Sequence, residues 1–405
     1  MGVKVAKFGG SSLASTEQII KAMDIVRSDP DRRYVVASAP GKRTPDDIKV
    51  TDLLYAVYDN RDGDYEQPLS LIKTRYEEIA DGLGVEVDLE AEFERIEDQL
   101  RSCLRQDDKG NIGGQRDSIG GRQDETRHEA DYFASRGEYL NSMIIAAYLG
   151  WPFVDAAEVV RFSDSGEFLP DQTDVLLASR LSECYQAVIP GFYGSTPSGE
   201  IRTFPRGGSD VTGALVARAV NADVYENWTD VSGVLAADPR VVDSPRPIVR
   251  VSYSALHELT RLGASVLHEN AVKPVHEKGI PINIRNTNSP EDAGTWIQDH
   301  LEEAPTIIGI AGKKGFVLEV ESVEEVTPKG SEPEVQFVAK IGVVGSGITH
   351  ETLIQKVSDA LSQADIAAYE ISPAGDSMDS VSVVADVDED AYEQAMRTLY
   401  TALAL

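Results

Sequence analysis

Four groups of residues have the types and spacing to handle a phosphate or an amino acid. The first is Lys7-Phe8-Gly9-Gly10-Ser11-Ser12, where an apolar strand pattern meets two glycines and two hydroxyls and a helical pattern follows from Ser15 or Thr16 to Val26. Glycines at a strand-to-helix turn let backbone N–H groups approach an anion, and the helix N-terminus adds the positive end of its dipole. The turn is neither a Walker loop nor a Gly-x-Gly-x-x-Gly fingerprint, and its lysine precedes the glycines, so the ammonium reaches over the turn as a point charge. Read alone, the same residues also describe a plain glycine turn with a surface lysine.

The second group, Arg206-Gly207-Gly208-Ser209-Asp210, opens a helix of small residues over Ala214–Val220. Arg206 can grip a carboxylate bidentately, at about 1.5–3 kcal/mol per charge-assisted hydrogen bond. Asp210 can accept from an ammonium, either a substrate's or that of Lys7, whereas a plain helix cap needs only Ser209 or Asp210. Third, a strand ending at Trp228 feeds Thr229-Asp230-Val231-Ser232-Gly233 and Ala237-Asp238-Pro239-Arg240, a well-defined loop able to enclose a nucleotide's ribose and phosphates. Fourth, Gly137-Glu138 precedes the apolar stripe Met143–Leu149. Glu138 then either complements the dipole at a helix start or binds a substrate ammonium.

Composition narrows the partners. The 405 residues suffice for two or three domains, and the formal net charge is −30, from 68 acidic against 38 basic residues. A chain this acidic repels nucleic acid and anionic membranes, and any basic cluster in it is local. The surplus suits a salt-rich cytoplasm but also occurs in ordinary bacterial enzymes. No apolar run approaches the roughly 18 residues of a membrane span, and strand pattern begins at once, so a cytoplasmic protein is expected. Cys103 and Cys184 read as ordinary thiols, with no metal site expected.

The positioning elements alternate between strand and helix. A second strand, Arg33–Ala39, carries Ser38 among the small residues at its end, and a Pro40-Gly41 break leads to Thr51, expected as N-cap of a helix over Asp52–Tyr58. Open α/β sheets place ligand contacts at such strand ends. Residues 60–130 read as charged and helical, and the glycine-containing stretch 105–125 reads as a mobile segment or lid. Further strands are expected at 187–189 and 280–285.

These motifs, with Gly263-Ala264-x-Val266-Leu267-His268, occur in one order, and together they resemble the aspartate kinases of the amino acid kinase family over nearly all of residues 1–300. The resemblance implies a three-layer α/β/α catalytic domain over 1–300 that transfers the γ-phosphoryl group of ATP, with Mg2+ held largely by the phosphates, to the side-chain carboxylate of L-aspartate. It implies that Lys7 neutralises the transferring group while Gly9, Gly10 and Ser11 donate around it. Ser38, Thr51, Glu138, Arg206 and Ser209 would hold the amino acid, Glu138 on its ammonium and Arg206 on its α-carboxylate. Asp210 would orient Lys7 and the substrate, and Thr229, Asp230 and Arg240 would bind the nucleotide. The chain departs from the family at Asn141, Leu235 and Ser265, the last replacing a lysine suited to phosphate. His268 reads as structural. Relatives acting on glutamate, N-acetylglutamate or carbamate, and a non-catalytic sensor, are the alternatives.

After residue 305 the pattern changes to strands at 307–311, 316–320, 335–344 and 381–387 and helices at 352–363 and 389–403. This resembles an α+β, ferredoxin-like ACT regulatory region over 306–405, shortened or degenerate relative to a tandem pair. Gly345-Ser346-Gly347-Ile348-Thr349-His350 stands where an Asp-x-Pro-Gly effector turn is usual. The resemblance implies a homodimer or higher homo-oligomer and an amino-acid effector, lysine or threonine.

Overall fold

The computed structural model describes residues 2–110, 119–205, 207–264, 267, 269–299, 301, 306–319, 335–377 and 379–405. By compactness the chain divides into two units, one of Met1–Ser232 with His268–Ala293, the other of Gly233–Leu267 with Gly294–Leu405.

In the first unit a parallel sheet is built from β1 (Lys4–Phe8), β2 (Arg32–Ala37), β3 (Ala187–Pro190), β4 (Val224–Thr229) and β5 (Ile282–Asn286), in the order β3-β2-β1-β4-β5. The chain winds from β1 outward to β2 and β3, then returns to lay β4 on the other side of β1. The strand order therefore reverses between β1 and β4, the topological switch point at which open α/β sheets bind ligands. Phe8 pairs with Ala37 and with Trp228, so β1, β2 and β4 end level with one another.

Strand alternation sorts the side chains. Ala6, Phe8, Val35, Ala37, Val188 and Trp228 join one core with α1 (Thr16–Arg27), α2 (Val50–Asp59), α3 (Glu66–Leu83), α4 (Leu89–Gly110) and α5 (Ile119–Leu149). Lys7 therefore points to the opposite face, where α6 (Gly208–Ala219) packs on β1, β2 and β4. Helices cover both faces, as a buried parallel sheet requires.

Two expectations need correction here. Thr51 is the second residue of α2, whose N-cap is Lys49, so it is not the cap. Glu138 lies deep inside α5, far from the helix start, so dipole complementarity does not account for it. The lid expected at 105–125 is centred on 111–118, outside the described residues.

In the second unit, β6 (Ile307–Glu319), β7 (Val335–Gly345), α7 (His350–Gln363), β8 (Ala368–Asp376), β9 (Val381–Asp388) and α8 (Tyr392–Ala402) form an antiparallel sheet, β6-β7-β9-β8, with two helices. With β7 counted first and β6 last, the strand order is 4-1-3-2, that of a ferredoxin-like layer whose fourth strand enters from the N-terminal side. The expected strands at 307–311 and 316–320 are one strand, bent by a register shift between Lys313 and Phe316. Strand β8 was not expected from the sequence. It carries Pro373, which only an edge strand tolerates readily, and β8 is the edge. Ala237 and Val242 are buried in this unit's core, so the Asp238–Arg240 turn is anchored within it.

Candidate active site

Lys7 and Asn227 are register partners on neighbouring strands and face α6 together. In the first turn of α6, Asp210 meets both. Its Oδ1 lies 2.5 Å from the Lys7 ammonium and accepts from Asn227 Nδ2 at 2.8 Å. Lys7 is 7% exposed, so the pair is sheltered and its geometry is set by sheet register and not by mobile stems. The glycines before Asp210 have distinct reasons. Gly207 caps α6 at φ +60, where a side chain is disfavoured, and a Cβ on Gly208 would lie 2.6 Å from the Phe192 ring. Ser209 is buried beside Gly191, where an added Cβ would meet it at 2.6 Å.

The turn after β1 is held from two sides. Gly9 N–H donates to Trp228 O at 3.0 Å, and Gly41 N–H donates to Gly10 O at 2.8 Å. A Cβ on Gly41 would stand 2.6 Å from the Gly10 carbonyl carbon, so this crossing requires glycine. The hydroxyl of Ser12 accepts from Thr287 Oγ1 at 2.8 Å, and Thr287 N–H donates to Thr229 O at 2.9 Å. The glycine turn and the Thr229–Asp230 end of β4 are therefore tied together at the switch point, with Thr229 Oγ1 donating to Asp230 at 3.1 Å.

A cavity of about 590 Å³ opens here, lined by Gly10 and Ser11, by the 39–45 loop with Lys42 and Arg43, by Lys49 and Thr51, and by Glu138 and Asp230. Glu138 is buried. Among the described residues its Oε2 accepts no hydrogen bond. Burial pushes its carboxyl up to about 8, against the opposing pull of the Ala39 N–H and of the Lys7 ammonium. A buried carboxylate oxygen left unpaired is costly, and a ligand cation would satisfy it. Ser38, at the end of β2, is tied to the same helix, for Asn141 Nδ2 donates to its carbonyl at 2.7 Å. Asn141 Oδ1 and Ser142 Oγ, three and four residues after Glu138, are also buried with no partner among the described residues.

Of the expected site residues, Lys7, Gly9, Gly10, Ser11, Ser38, Thr51, Glu138, Ser209, Asp210, Thr229 and Asp230 all belong to the first unit. Arg240 belongs to the second. It is 87% exposed there, and its guanidinium rests on Asp238 of the same turn, Nη2 at 2.6 Å. Arg206, Ser265 and His268 lie outside the described residues. Leu235 pairs with Pro247 in a short antiparallel ladder.

Several participants escaped the motif reading. Gly41 carried one signal, the Pro40-Gly41 break after a strand. Asn227 was passed over as part of a strand end. Asp47 accepts from Arg43 N–H at 2.9 Å and from Arg75 Nη1 at 2.8 Å. Burial alone would raise its carboxyl, but the hydrogen bonds from Arg43 and Arg75 outweigh that and hold it well below the usual carboxylate range. No local pattern points from Arg75 to a turn more than 60 residues earlier.

Residues 2–286 match the amino acid kinase family. Aspartokinase 3 of Bacillus subtilis is 36% identical over 328 residues, 78% of this chain and 68% of that protein. Against two chloroplastic aspartokinases of Arabidopsis thaliana, 28% and 27% identical, the chain spans 52% and 53% of their length. The crystal structure of Clostridium acetobutylicum aspartate kinase, described as an allosteric enzyme, superposes with a TM-score of 0.81 at 35% identity, covering 100% of both chains. Escherichia coli aspartokinase III in complex with aspartate and ADP shares the fold, with a TM-score of 0.73 at 21% identity over 100% of both chains. The chain belongs to the amino acid kinase family, and within it to the aspartokinases.

Proposed function

We propose that the chain transfers the γ-phosphoryl group of ATP to the side-chain carboxylate of L-aspartate, giving 4-phospho-L-aspartate and ADP. This is the entry step to lysine, threonine and methionine synthesis. The observation that carries the reading is Glu138, a buried carboxylate with an oxygen that has no partner among the described residues, lining the cavity beside the glycine turn and suited to a substrate's ammonium.

An oxygen of the aspartate side chain attacks the γ-phosphorus, and the bond from that phosphorus to the bridging oxygen breaks, leaving the electron pair on ADP. The attacking carboxylate is ionised at neutral pH, so no general base is needed and no proton moves in the step. Catalysis then rests on alignment and on positive charge around the equatorial oxygens. Lys7, aimed by Asp210, supplies that charge, and Gly9, Gly10 and Ser11 supply donors. Arg206 and Ser209 take the α-carboxylate, Ser38 and Thr51 complete the amino-acid side, and Thr229, Asp230 and Arg240 take the nucleotide. Magnesium would be held largely by the ATP phosphates, keeping much of its water shell, and would supply further positive charge there.

The same proposal assigns the catalytic domain to 1–300 and an ACT-like regulatory region to 306–405, acting in a cytoplasmic homodimer. Among the described residues no helix is long and apolar enough to cross a membrane. Val317 and Phe337 stand directly opposite each other on β6 and β7 and are 52% and 58% exposed, an apolar pair that a second copy would cover. Lysine or threonine is the effector to try, and titration calorimetry with each reads the outcome. Heat and inhibition with either supports regulation, and neither with both removes these effectors.

Incubation with Mg-ATP and a panel of acids in hydroxylamine traps any acyl phosphate as its hydroxamate. Signal with L-aspartate alone is expected. Signal with glutamate, N-acetylglutamate or carbamate instead moves the substrate, and none with any acid replaces the enzyme by a sensor. Arg206→Ala is expected to raise KM for aspartate with a smaller change in kcat.

A further inference from the structure

Helix α3 belongs to the stretch that reads from sequence as charged and helical, yet its single arginine is 5% exposed and enters the site's scaffold. The Arg75 guanidinium joins three pieces of chain that are distant in sequence. Nη2 donates to Gly41 O at 2.7 Å and to Ala14 O at 2.8 Å, and Nη1 donates to Asp47 at 2.8 Å. Ala14 follows the short helical turn that carries Ser11, and Gly41 is the residue whose N–H holds Gly10 O. Asp47 closes the other end of the loop by accepting from Arg43 N–H.

We infer that Arg75, fixed by Asp47, is a positioning residue for phosphoryl transfer: it clamps the Gly9–Ser11 turn and the 40–49 loop in the arrangement that receives the transferring group. The inference rests on reading that turn as the phosphoryl site. A planar fork is required. A lysine carries the charge but donates from a single point, so it cannot reach two carbonyls and a carboxylate in fixed directions. The next residue, Tyr76, donates to Gly137 O at 2.6 Å, so the same turn of α3 also buttresses the segment that bears Glu138. Without the fork, the Gly41 and Ala14 carbonyls lose their buried donor and the two loops are free to separate.

Arg75→Lys and Asp47→Asn test this, the second being a milder change at a partly exposed residue should the first fold poorly. Amide exchange at residues 10–14 and 41–49 is expected to quicken about tenfold or more, with protection in β1 and β2 kept. With Mg-ATP and aspartate, kcat is expected to fall about 10- to 100-fold, as misplacement of a reacting group by an ångström does. KM for ATP should change much less. Unchanged exchange in both segments overturns the inference, and so does faster exchange with kcat intact, because the contact is then structural only. If the unsubstituted chain makes no acyl phosphate with any acid, the functional reading fails, and the exchange measurement still decides the clamp.

Discussion

Two acid–base pairs, Lys7 with Asp210 and Arg240 with Asp238, use similar chemistry in opposite settings. The first joins the middle of a parallel sheet to the first turn of a helix 203 residues later in sequence, and both partners are largely sheltered from water. The second lies within a three-residue turn of the other unit, its arginine nearly bare. An exposed pair is screened and contributes little to stability, whereas a sheltered one is held by everything packed around it. The difference suggests a division of labour: the sheltered cation keeps its position through the reaction, and the exposed one is free to exchange its carboxylate for a phosphate.

The comparison can be broken at several points. The largest effect is expected from Lys7→Ala, with kcat down by about 10²–10³-fold, the usual cost of removing a positioned donor to developing charge. Its KM for aspartate should move far less. Next, Glu138→Gln is expected to raise KM for aspartate about a hundredfold, within the range of about 2–5 kcal/mol for leaving one partner of a buried charge pair alone. The same substitution has a pH signature in the ligand-free chain. The folded state keeps the Glu138 proton up to about 8, while the unfolded chain loses it near 4.5. The contribution to stability is therefore full below pH 4.5 and is lost as pH rises through about 8. Glu138→Gln should flatten the melting curve against pH over that window, and an unchanged slope would detach Glu138 from it. The smallest effect belongs to Arg240→Gln: a several-fold rise in KM for ATP, consistent with loss of one exposed charge contact, and no measurable change in melting temperature. Equal losses at Lys7 and Arg240 would erase the distinction between the pairs.

Much of this was legible in the sequence because both halves of the central pair carry local signals. Lys7 sits in a strand that ends in two glycines, and Asp210 follows two more at a helix start. Their contact follows once alternation puts Lys7 on the face opposite Phe8. Glu138 was recognised but wrongly placed. It was set at a helix start, yet it lies within α5, and the Gly137 before it is required there because an added Cβ would come within 2.8 Å of Ala39. Packing against the end of β2 overrides the low helix propensity of glycine. The tail's edge strand was hidden by Pro373, and the Arg75 clamp had no local signature, since its meaning lies in three backbone groups that only the fold brings together.

The central claim is that Lys7 acts on the transferring phosphoryl group and not on the binding of either substrate. Single-turnover formation of acyl phosphate at saturating Mg-ATP and L-aspartate, compared between the unsubstituted chain and Lys7→Ala, tests it directly. The expected result is a rate lower by about two to three orders of magnitude, with aspartate and nucleotide still bound. A normal single-turnover rate at saturation, with weakened binding alone, would contradict it.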